Sequence, residues 1–201
     1  MVWGSEGLVF IVVDGLDGCG KDTHAARMKA LLESDGNRVS ITSHPSGRPF
    51  GRVSKRFLRE TGPLARLFTT LFFTADVLVS VRELKHERDR TTILVRYLLG
   101  TAYLPKALAP MGYRVLRKIL PFPDLAIFID IEPEVAHRRI AARGHAPEMF
   151  ETPEKLASVR RIAKTLAAHE WVTVDNSEEG ERPFKELERV LRERSLLRFT
   201  G

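Results

Sequence analysis

A glycine-rich segment directly after an apolar run constrains this chain more than any other feature of its sequence. Residues 8–13 are all apolar, and Gly15, Gly20 and Lys21 follow with the spacing Gly, four residues, Gly-Lys. This spacing is typical of a loop whose backbone N–H groups surround a phosphate at the start of a helix. The lysine then brings a mobile positive charge to the β- and γ-phosphates of a nucleotide. The pattern favours a nucleotide site over a purely structural strand–turn–helix, in which the glycines would only allow tight packing.

Apolar runs alternate with amphipathic stretches along the chain, which predicts a parallel sheet wrapped by helices. The first and fourth runs are almost entirely apolar, as expected for strands that are buried on both faces. The predicted strands are 8–14, 38–43, 92–96, 125–131 and 171–175. The predicted helices are 21–33, 51–60, 63–88, 101–120, 133–143, 152–169 and 181–194. We find no repeat, low-complexity tract or dividing linker, so one domain over residues 1–201 is expected.

Composition excludes several other classes of protein. Hydrophobic residues make up 43% of the chain, which is enough to build a core and argues against disorder. The longest apolar run, 8–13, is far shorter than the roughly 20 residues of a membrane span, and the N-terminus does not resemble a secretory signal. Cys19 is the single cysteine, so no internal disulfide can form. We therefore expect no membrane partner and a cytoplasmic location.

The net charge of +6 permits two kinds of partner, nucleic acid or phosphorylated small molecules. The basic residues do not form a polybasic tail but are spread along the predicted helices, where they are commonly solvated. We therefore favour small phosphorylated ligands. A nucleic-acid-binding NTPase remains an alternative, and polynucleotide-stimulated ATP hydrolysis would identify it.

Two further features of the residues point to phosphate chemistry. Arg96 lies at the carboxyl end of a predicted strand, where open α/β sheets bind their ligands, and an arginine there can clamp a phosphate through two hydrogen bonds; its alternative role is a surface ion pair. Arg139 and Arg143 are four residues apart on one helix face, where like charges repel unless an anion lies between them. Simple solvation, with Glu132 and Glu134 nearby, is the alternative for that pair.

Ten segments of the chain match the pattern of one protein family: residues 15–21, 44–47, 50–51, 71–76, 96–97, 101–103, 124–135, 138–144, 148–151 and 174–177. Through these segments the chain resembles the thymidylate kinase family. This resemblance implies an α/β fold of the P-loop NTPase type, a five-stranded parallel sheet with helices on both faces, and a lid near residues 138–152. The implied reaction is ATP-dependent phosphoryl transfer to a pyrimidine nucleoside monophosphate, above all dTMP to dTDP, with ATP and Mg²⁺. The implied partner is a second copy of the chain, because residues 67–73 offer more apolar surface than one helix face usually buries.

The resemblance also implies roles for individual residues. The ATP-binding residues would be Gly15, Leu16, Asp17, Gly18, Cys19, Gly20, Lys21, Asp22 and Thr23. The catalytic residues would be Lys21, Arg96, Arg139 and Arg143. The acceptor-binding residues would be Asp17, Pro45, Phe73, Arg96, Tyr97 and Tyr103, with Phe73 as the stacking surface for the base. Asp17 and Asp22 are the candidate Mg²⁺ ligands, although Asp17 could equally touch the acceptor sugar or cap the turn.

Three positions depart from the family pattern. Asp22 stands where a serine or threonine would hold Mg²⁺; a carboxylate is a good ligand for Mg²⁺, but its charge could also weaken triphosphate binding. Val95 replaces an acidic residue before Arg96, and Val77 replaces an arginine that reads the thymine edge. These changes predict weaker discrimination between oxo and amino pyrimidines, which Val77→Arg would restore. They also leave open a catalytically weak relative that binds nucleotide in a regulatory role.

Overall fold

Five parallel strands form the sheet, in the order β2-β3-β1-β4-β5. The computed structural model describes residues 9–58, 60, 62–84, 90–144 and 151–197. The strands are β1 (Phe10–Gly15), β2 (Val39–Ser43), β3 (Thr91–Val95), β4 (Leu125–Asp130) and β5 (Val172–Asp175). Every residue of β1, β3 and β4 is buried, because helices cover both faces of the sheet. The predicted α/β class and parallel sheet are confirmed.

Seven α-helices surround the sheet in the described part of the chain. They are α1 (Lys21–Ser34), α2 (Pro49–Leu58), α3 (Pro63–Leu84), α4 (Ala109–Ile119), α5 (Pro133–Ala141), α6 (Pro153–Ala167) and α7 (Arg182–Glu193). α1 and α7 pack together beside the sheet, whereas α6 packs against α4, α5 and β4. None of these helices is long and apolar enough to cross a membrane.

The predicted helix over residues 101–120 is wrong. A 3-10 helix, Leu98–Tyr103, comes first, and α4 starts only at Ala109. The break falls at Leu104, whose ψ of 160° is extended. Leu104 precedes Pro105, and a proline disfavours the helical conformation of the residue before it. The break separates Tyr103, at the end of the 3-10 helix, from α4.

The carboxyl ends of the strands bring distant residues to one edge of the sheet. Gly15 ends β1, His44 follows β2, Arg96 follows β3, and Asp130 and Asp175 end β4 and β5. β1 lies between β3 and β4, so the loop after β1 faces Arg96 on one side and the end of β4 on the other. A ligand-binding site is therefore expected at this edge of the sheet.

Candidate active site

The loop after β1 requires glycines, as Gly18 and Gly20 illustrate. Gly18 has φ 80°, and a Cβ there would lie 2.6 Å from the carbonyl oxygen of Ala136 on α5. Gly20 has φ 86°, and a Cβ there would lie 2.8 Å from Nδ2 of Asn176. That same amide donates to the carbonyl of Cys19 at 2.7 Å, which fixes the loop to the end of β5. Backbone and helix N-terminus together form the cradle that a phosphate requires.

Lys21 is held within this loop. Its side chain is buried, and Nζ donates to the carbonyl of Leu16 at 2.8 Å. Nζ also lies 3.5 Å from a carboxylate oxygen of Asp17. The lysine is thus kept beside the loop by two oxygen atoms, from which it can turn toward a phosphate.

Asp17 joins the phosphate loop to the opposite wall of the site. Its carboxylate accepts a hydrogen bond from Arg96 at 2.7 Å and another from the hydroxyl of Tyr103 at 3.0 Å. Burial alone would raise the pKa of Asp17, but the charges of Lys21 and Arg96 outweigh burial and hold that pKa below its usual value. Burial, aided by Asp17, raises the pKa of Tyr103, so its hydroxyl remains a donor. Asp17 therefore stays a carboxylate and orients two side chains.

Arg96 is fixed by its backbone as well as by Asp17. It has φ 63°, an uncommon conformation for a residue with a side chain, directly after β3. Its guanidinium also donates to the carbonyl of His44 at 3.3 Å, and a ring nitrogen of His44 lies 3.1 Å from the carbonyl of Arg96. Such over-determined local strain is a recurrent feature of functional sites. Arg96 is thereby placed at the junction of β2, β3 and the phosphate loop.

A cavity of about 350 Å³ opens directly beside Asp17 and Arg96. Its walls come from the loops after β1, β2 and β3, from the 3-10 helix and from α2, α3 and α4. Its lining includes Asp17, residues 43–47, Lys55, Leu58, Thr69, Thr70, Phe73, Thr74, Arg96, Gly100, Thr101, Tyr103 and Leu116. The charged residues at one end and the apolar side chains in the wall suit a ligand with an anionic group and a flat ring.

Phe73 forms an apolar part of the cavity wall. Its ring lies edge-on to that of His44, with ring centroids 6.1 Å apart, and it packs close to Gly100, where an added Cβ would lie 3.0 Å from the ring. Its neighbour Phe72 faces away and stacks on Phe50 and Phe57. Of these two adjacent phenylalanines, only Phe73 lines the cavity.

The structure does not bring every predicted acceptor residue to the cavity. Tyr97 is fully buried, packs edge-on against Phe10 and donates its hydroxyl to the carbonyl of Pro121 at 2.9 Å. Its side chain is therefore part of the core. Val77 is 1% exposed and also belongs to the core. Pro45, Asp17, Phe73, Arg96 and Tyr103 all line the cavity.

The other residues of the phosphate loop and the start of α1 differ in their burial. Leu16 and Cys19 are buried, and burial raises the pKa of the Cys19 thiol, which keeps it protonated. Thr23 is exposed on α1. Asp22 is also exposed and accepts a hydrogen bond from the hydroxyl of Ser43 at 2.9 Å. The Asp22 carboxylate and the Ser43 hydroxyl are two oxygen groups beside the phosphate loop.

The lid expected near residues 138–152 is described only in part. α5 packs on the phosphate loop through Ala136, and the next turn of the same helix carries Arg139 at a half-buried position. The charge of Arg139 reaches His24 on α1, where it contributes, after burial, to lowering the pKa of that histidine. Arg143 lies just beyond α5. Residues 145–150, including most of the predicted segment 148–151, lie outside the described residues.

The described residues contain no cluster of three or more His, Cys, Asp or Glu side chains that could hold a metal ion. Mg²⁺ in nucleotide sites typically keeps its waters and takes one or two carboxylates together with phosphate oxygens. Asp22 and Ser43, next to the phosphate cradle, fit such a partial ligand set. The residues present are therefore compatible with Mg²⁺ bound through a nucleotide.

Several residues of the cavity wall were missed by the sequence analysis. They are Ser43, Lys55, Leu58, Thr69, Thr70, Thr74, Gly100, Thr101 and Leu116. The spacing of Thr69 and Thr70 before Phe73 and Thr74 on one helix, four residues apart, was a usable signal for a shared face. The contributions of α2 and α4 had no such signal, because they depend on tertiary packing.

Comparison with known proteins identifies relatives over most of the chain. The family model described as "Thymidylate kinase" matches residues 13–186. A protein named "Probable thymidylate kinase" from Pyrobaculum calidifontis is 35% identical over 171 residues, covering 83% of this chain and 86% of the relative. A "Thymidylate kinase" from Xanthomonas oryzae pv. oryzae is 29% identical over 198 residues, covering 92% and 83%. A solved thymidylate kinase structure from Candida albicans shares the fold, with TM-score 0.77 at 18% identity over 98% of this chain and 97% of that chain.

Proposed function

The chain belongs to the thymidylate kinase family, and from this premise we propose that it transfers a phosphoryl group from ATP to a pyrimidine nucleoside monophosphate. The preferred reaction is dTMP to dTDP. One observation carries the proposal: the cavity that ends at Arg96 and Asp17 lies directly beside Lys21 of the phosphate loop. Phosphoryl transfer requires two phosphates held in line with positive charge around them, and this arrangement can provide both.

The loop residues 15–23 bind the donor phosphates in this proposal. The backbone N–H groups at the start of α1 face the phosphates, and Lys21 moves from Leu16 and Asp17 to the transferring group. Bound Mg²⁺ would neutralise charge on the donor phosphates, and Asp22, with Asp17 as the further candidate, would help to hold it. ATP and Mg²⁺ are therefore the expected donor and metal.

The acceptor occupies the cavity with its phosphate at Arg96. An arginine binds a phosphate through two parallel hydrogen bonds, and Asp17 keeps the guanidinium oriented for that contact. Phe73 and Leu58 offer apolar surface for the base, and Tyr103 borders the same space. The acceptor phosphate is thereby aimed at the donor loop.

Arg139 and Arg143 supply positive charge from the donor side. Neither Gly18 nor Cys19 in the phosphate loop is charged, so cations in addition to Lys21 must come from outside the loop. α5 packs on the loop at Gly18, which brings this helix and the residues after it close to the donor phosphates. These arginines act most strongly when the lid closes around both substrates.

We further propose that residues 1–201 form one kinase domain and that two copies assemble through α3. Exposed apolar side chains follow one face of α3 at Leu64, Leu67, Phe68 and Leu71. A contiguous apolar stripe of this kind is typical of an interaction surface. A cytoplasmic location fits a kinase of nucleotides.

The proposed function is tested by coupled ADP release with dTMP, dUMP, UMP, CMP and dCMP as acceptors. We expect turnover that depends on both ATP and a pyrimidine monophosphate and is fastest with dTMP. Nucleotide affinity without turnover would contradict the proposal and identify a binding protein. Hydrolysis of ATP stimulated by polynucleotide instead would identify an NTPase.

A further inference from the structure

Thr69 carries a hydroxyl that the protein leaves without a partner. Its Oγ1 is buried and makes no hydrogen bond to any described residue. The backbone at this position is fixed, because Ser54 of α2 donates its hydroxyl to the Thr69 carbonyl at 3.1 Å. The residue lines the cavity. A buried hydroxyl without a partner is destabilising, so a ligand group that satisfies it is favoured.

Other hydroxyls of the same cavity wall already donate a hydrogen bond to an oxygen atom of the protein. They belong to Ser43, Ser46, Thr74, Thr101 and Tyr103. Thr69 therefore differs from these neighbours in having both its donor and its acceptor capacity left for a ligand.

The position of Thr69 relative to Phe73 indicates which part of a bound ligand Thr69 would contact. The two residues are four apart on α3, so they lie on one face about 6 Å apart along the helix. Phe73 contacts His44, which adjoins Arg96 at the phosphate end. Thr69 lies one turn farther from that end. A ring stacked on Phe73 would thus direct its outer edge, away from the sugar, toward Thr69.

We propose that Thr69 binds the base by pairing its hydroxyl with the exocyclic oxo or amino group at the outer edge of the pyrimidine. This inference rests on the proposed function and deepens it. A hydroxyl donates to an oxo group and accepts from an amino group, so both thymine and cytosine satisfy it. Val77 is in the core and takes no part in reading the base. The enzyme accordingly accepts 4-oxo and 4-amino pyrimidine monophosphates, with modest discrimination between them.

The test compares Thr69→Val, which keeps the side-chain shape and removes the hydroxyl, with Thr69→Ser, which keeps the hydroxyl. The control is Thr165→Val, at an exposed position on α6 outside the cavity, whose hydroxyl donates to the carbonyl of Arg161. KM and kcat are measured for dTMP, dCMP and ATP, and dTMP and dCMP binding is measured by calorimetry. We expect Thr69→Val to raise KM and Kd for both acceptors by about tenfold, with the KM for ATP unchanged. Thr69→Ser should stay within about threefold of the wild type.

The outcomes distinguish failure of the role of Thr69 from failure of the kinase proposal. Wild-type turnover with unchanged acceptor KM and Kd in Thr69→Val overturns the role of Thr69 and leaves the kinase proposal standing. A loss confined to dTMP also overturns it, because the hydroxyl would then act as a donor alone. Absence of turnover, with nucleotide binding still weakened by Thr69→Val, contradicts the kinase proposal and supports the role of Thr69. Equal weakening in Thr165→Val overturns the specific assignment to Thr69.

Discussion

Asp17 and Arg96 form an ion pair of 2.7 Å between residues that are 79 positions apart in the chain. The pair joins the phosphate loop after β1 to the turn after β3. Because Asp17 also lies 3.5 Å from Nζ of Lys21, one carboxylate sits between the cation for the donor and the cation for the acceptor. Arrival of a donor phosphate would draw Lys21 away from this carboxylate, while Asp17 keeps Arg96 oriented for the acceptor phosphate. The pair thus holds the two halves of the site in register before substrates bind.

Lys21→Met should lower kcat by at least about a hundredfold, since its charge acts mainly on the transferring phosphoryl group. Methionine keeps much of the buried aliphatic stem, so circular dichroism should show an intact fold. The coupled ADP assay measures the effect. Lys29→Met is the matched control, because Lys29 pairs with Glu33 on the surface of α1. Turnover at the wild-type rate in Lys21→Met would contradict the assignment of the phosphate loop.

Arg139→Ala and Arg143→Ala should each lower kcat by about tenfold or more while the KM for ATP changes little. The reason is that a closing lid brings these charges to the phosphates only in the reacting complex. Steady-state kinetics with ATP varied at saturating dTMP measure both constants. Arg189→Ala serves as the control, because Arg189 pairs with Glu193 on α7. An unchanged kcat with a raised KM would mean that the arginines make ground-state contacts only.

The stability of the fold should fall as pH drops below about 6.5, the usual pKa of histidine. Burial lowers the pKa of both His24 and His44, so the folded protein binds fewer protons than the unfolded chain in this range. The stabilisation is therefore present above pH 6.5 and is lost as pH falls toward the folded pKa values. Urea unfolding at pH 7.5 and pH 5.5 measures the loss.

His24→Gln should reduce this pH-dependent loss of unfolding free energy, because the buried ring no longer resists protonation. His169→Gln, at an exposed position, should lose as much stability as the wild type. A loss of the same size in His24→Gln and the wild type would show that His24 does not contribute.

Leu71→Glu should convert a homodimer into monomers. Leu71 is 55% exposed on the apolar face of α3, and a carboxylate there would be desolvated on association. Light scattering at micromolar concentration should give twice the chain mass of 22.7 kDa for the wild type and the chain mass for the variant. Ile119→Glu, equally exposed but on α4, is the control and should remain a dimer. A monomeric wild type would contradict assembly through α3.

The sequence analysis was most successful where local chemistry permits few alternatives. The phosphate loop requires residues without a side chain at Gly18 and Gly20, and the central strands must be apolar because both faces are covered. Those patterns are visible along a few consecutive residues. They located the loop and the parallel sheet, and the placement of Arg96 after a strand followed from them.

Other features of the structure depend on contacts between distant segments and could not be predicted from a few consecutive residues. Lys21, expected to bring a mobile charge to a nucleotide, is buried and bonded to the carbonyl of Leu16. Tyr97, expected to face the acceptor, is held in the core by Phe10 and Pro121. Local spacing does not determine which side of a turn or helix faces a neighbour.

Val77 is another residue whose surroundings could not be predicted from local spacing, and its burial changes the choice of variant that tests base selectivity. The sequence analysis expected Val77→Arg to sharpen base selectivity, but the side chain lies in the apolar core. An arginine there would bury an unpaired charge and destabilise the fold. Base selectivity is therefore better tested at Thr69, in the cavity wall.

Transfer of a labelled γ-phosphoryl group from ATP to dTMP tests the central claim most directly. With enzyme, Mg²⁺ and both nucleotides present, the account predicts that the label appears in dTDP, in a one-to-one ratio with the ADP formed. Little label should appear as inorganic phosphate, because efficient transfer to an acceptor requires that water be kept from the reacting phosphates. Label that appears in inorganic phosphate at the same rate with and without dTMP, or that remains in ATP, would contradict the account.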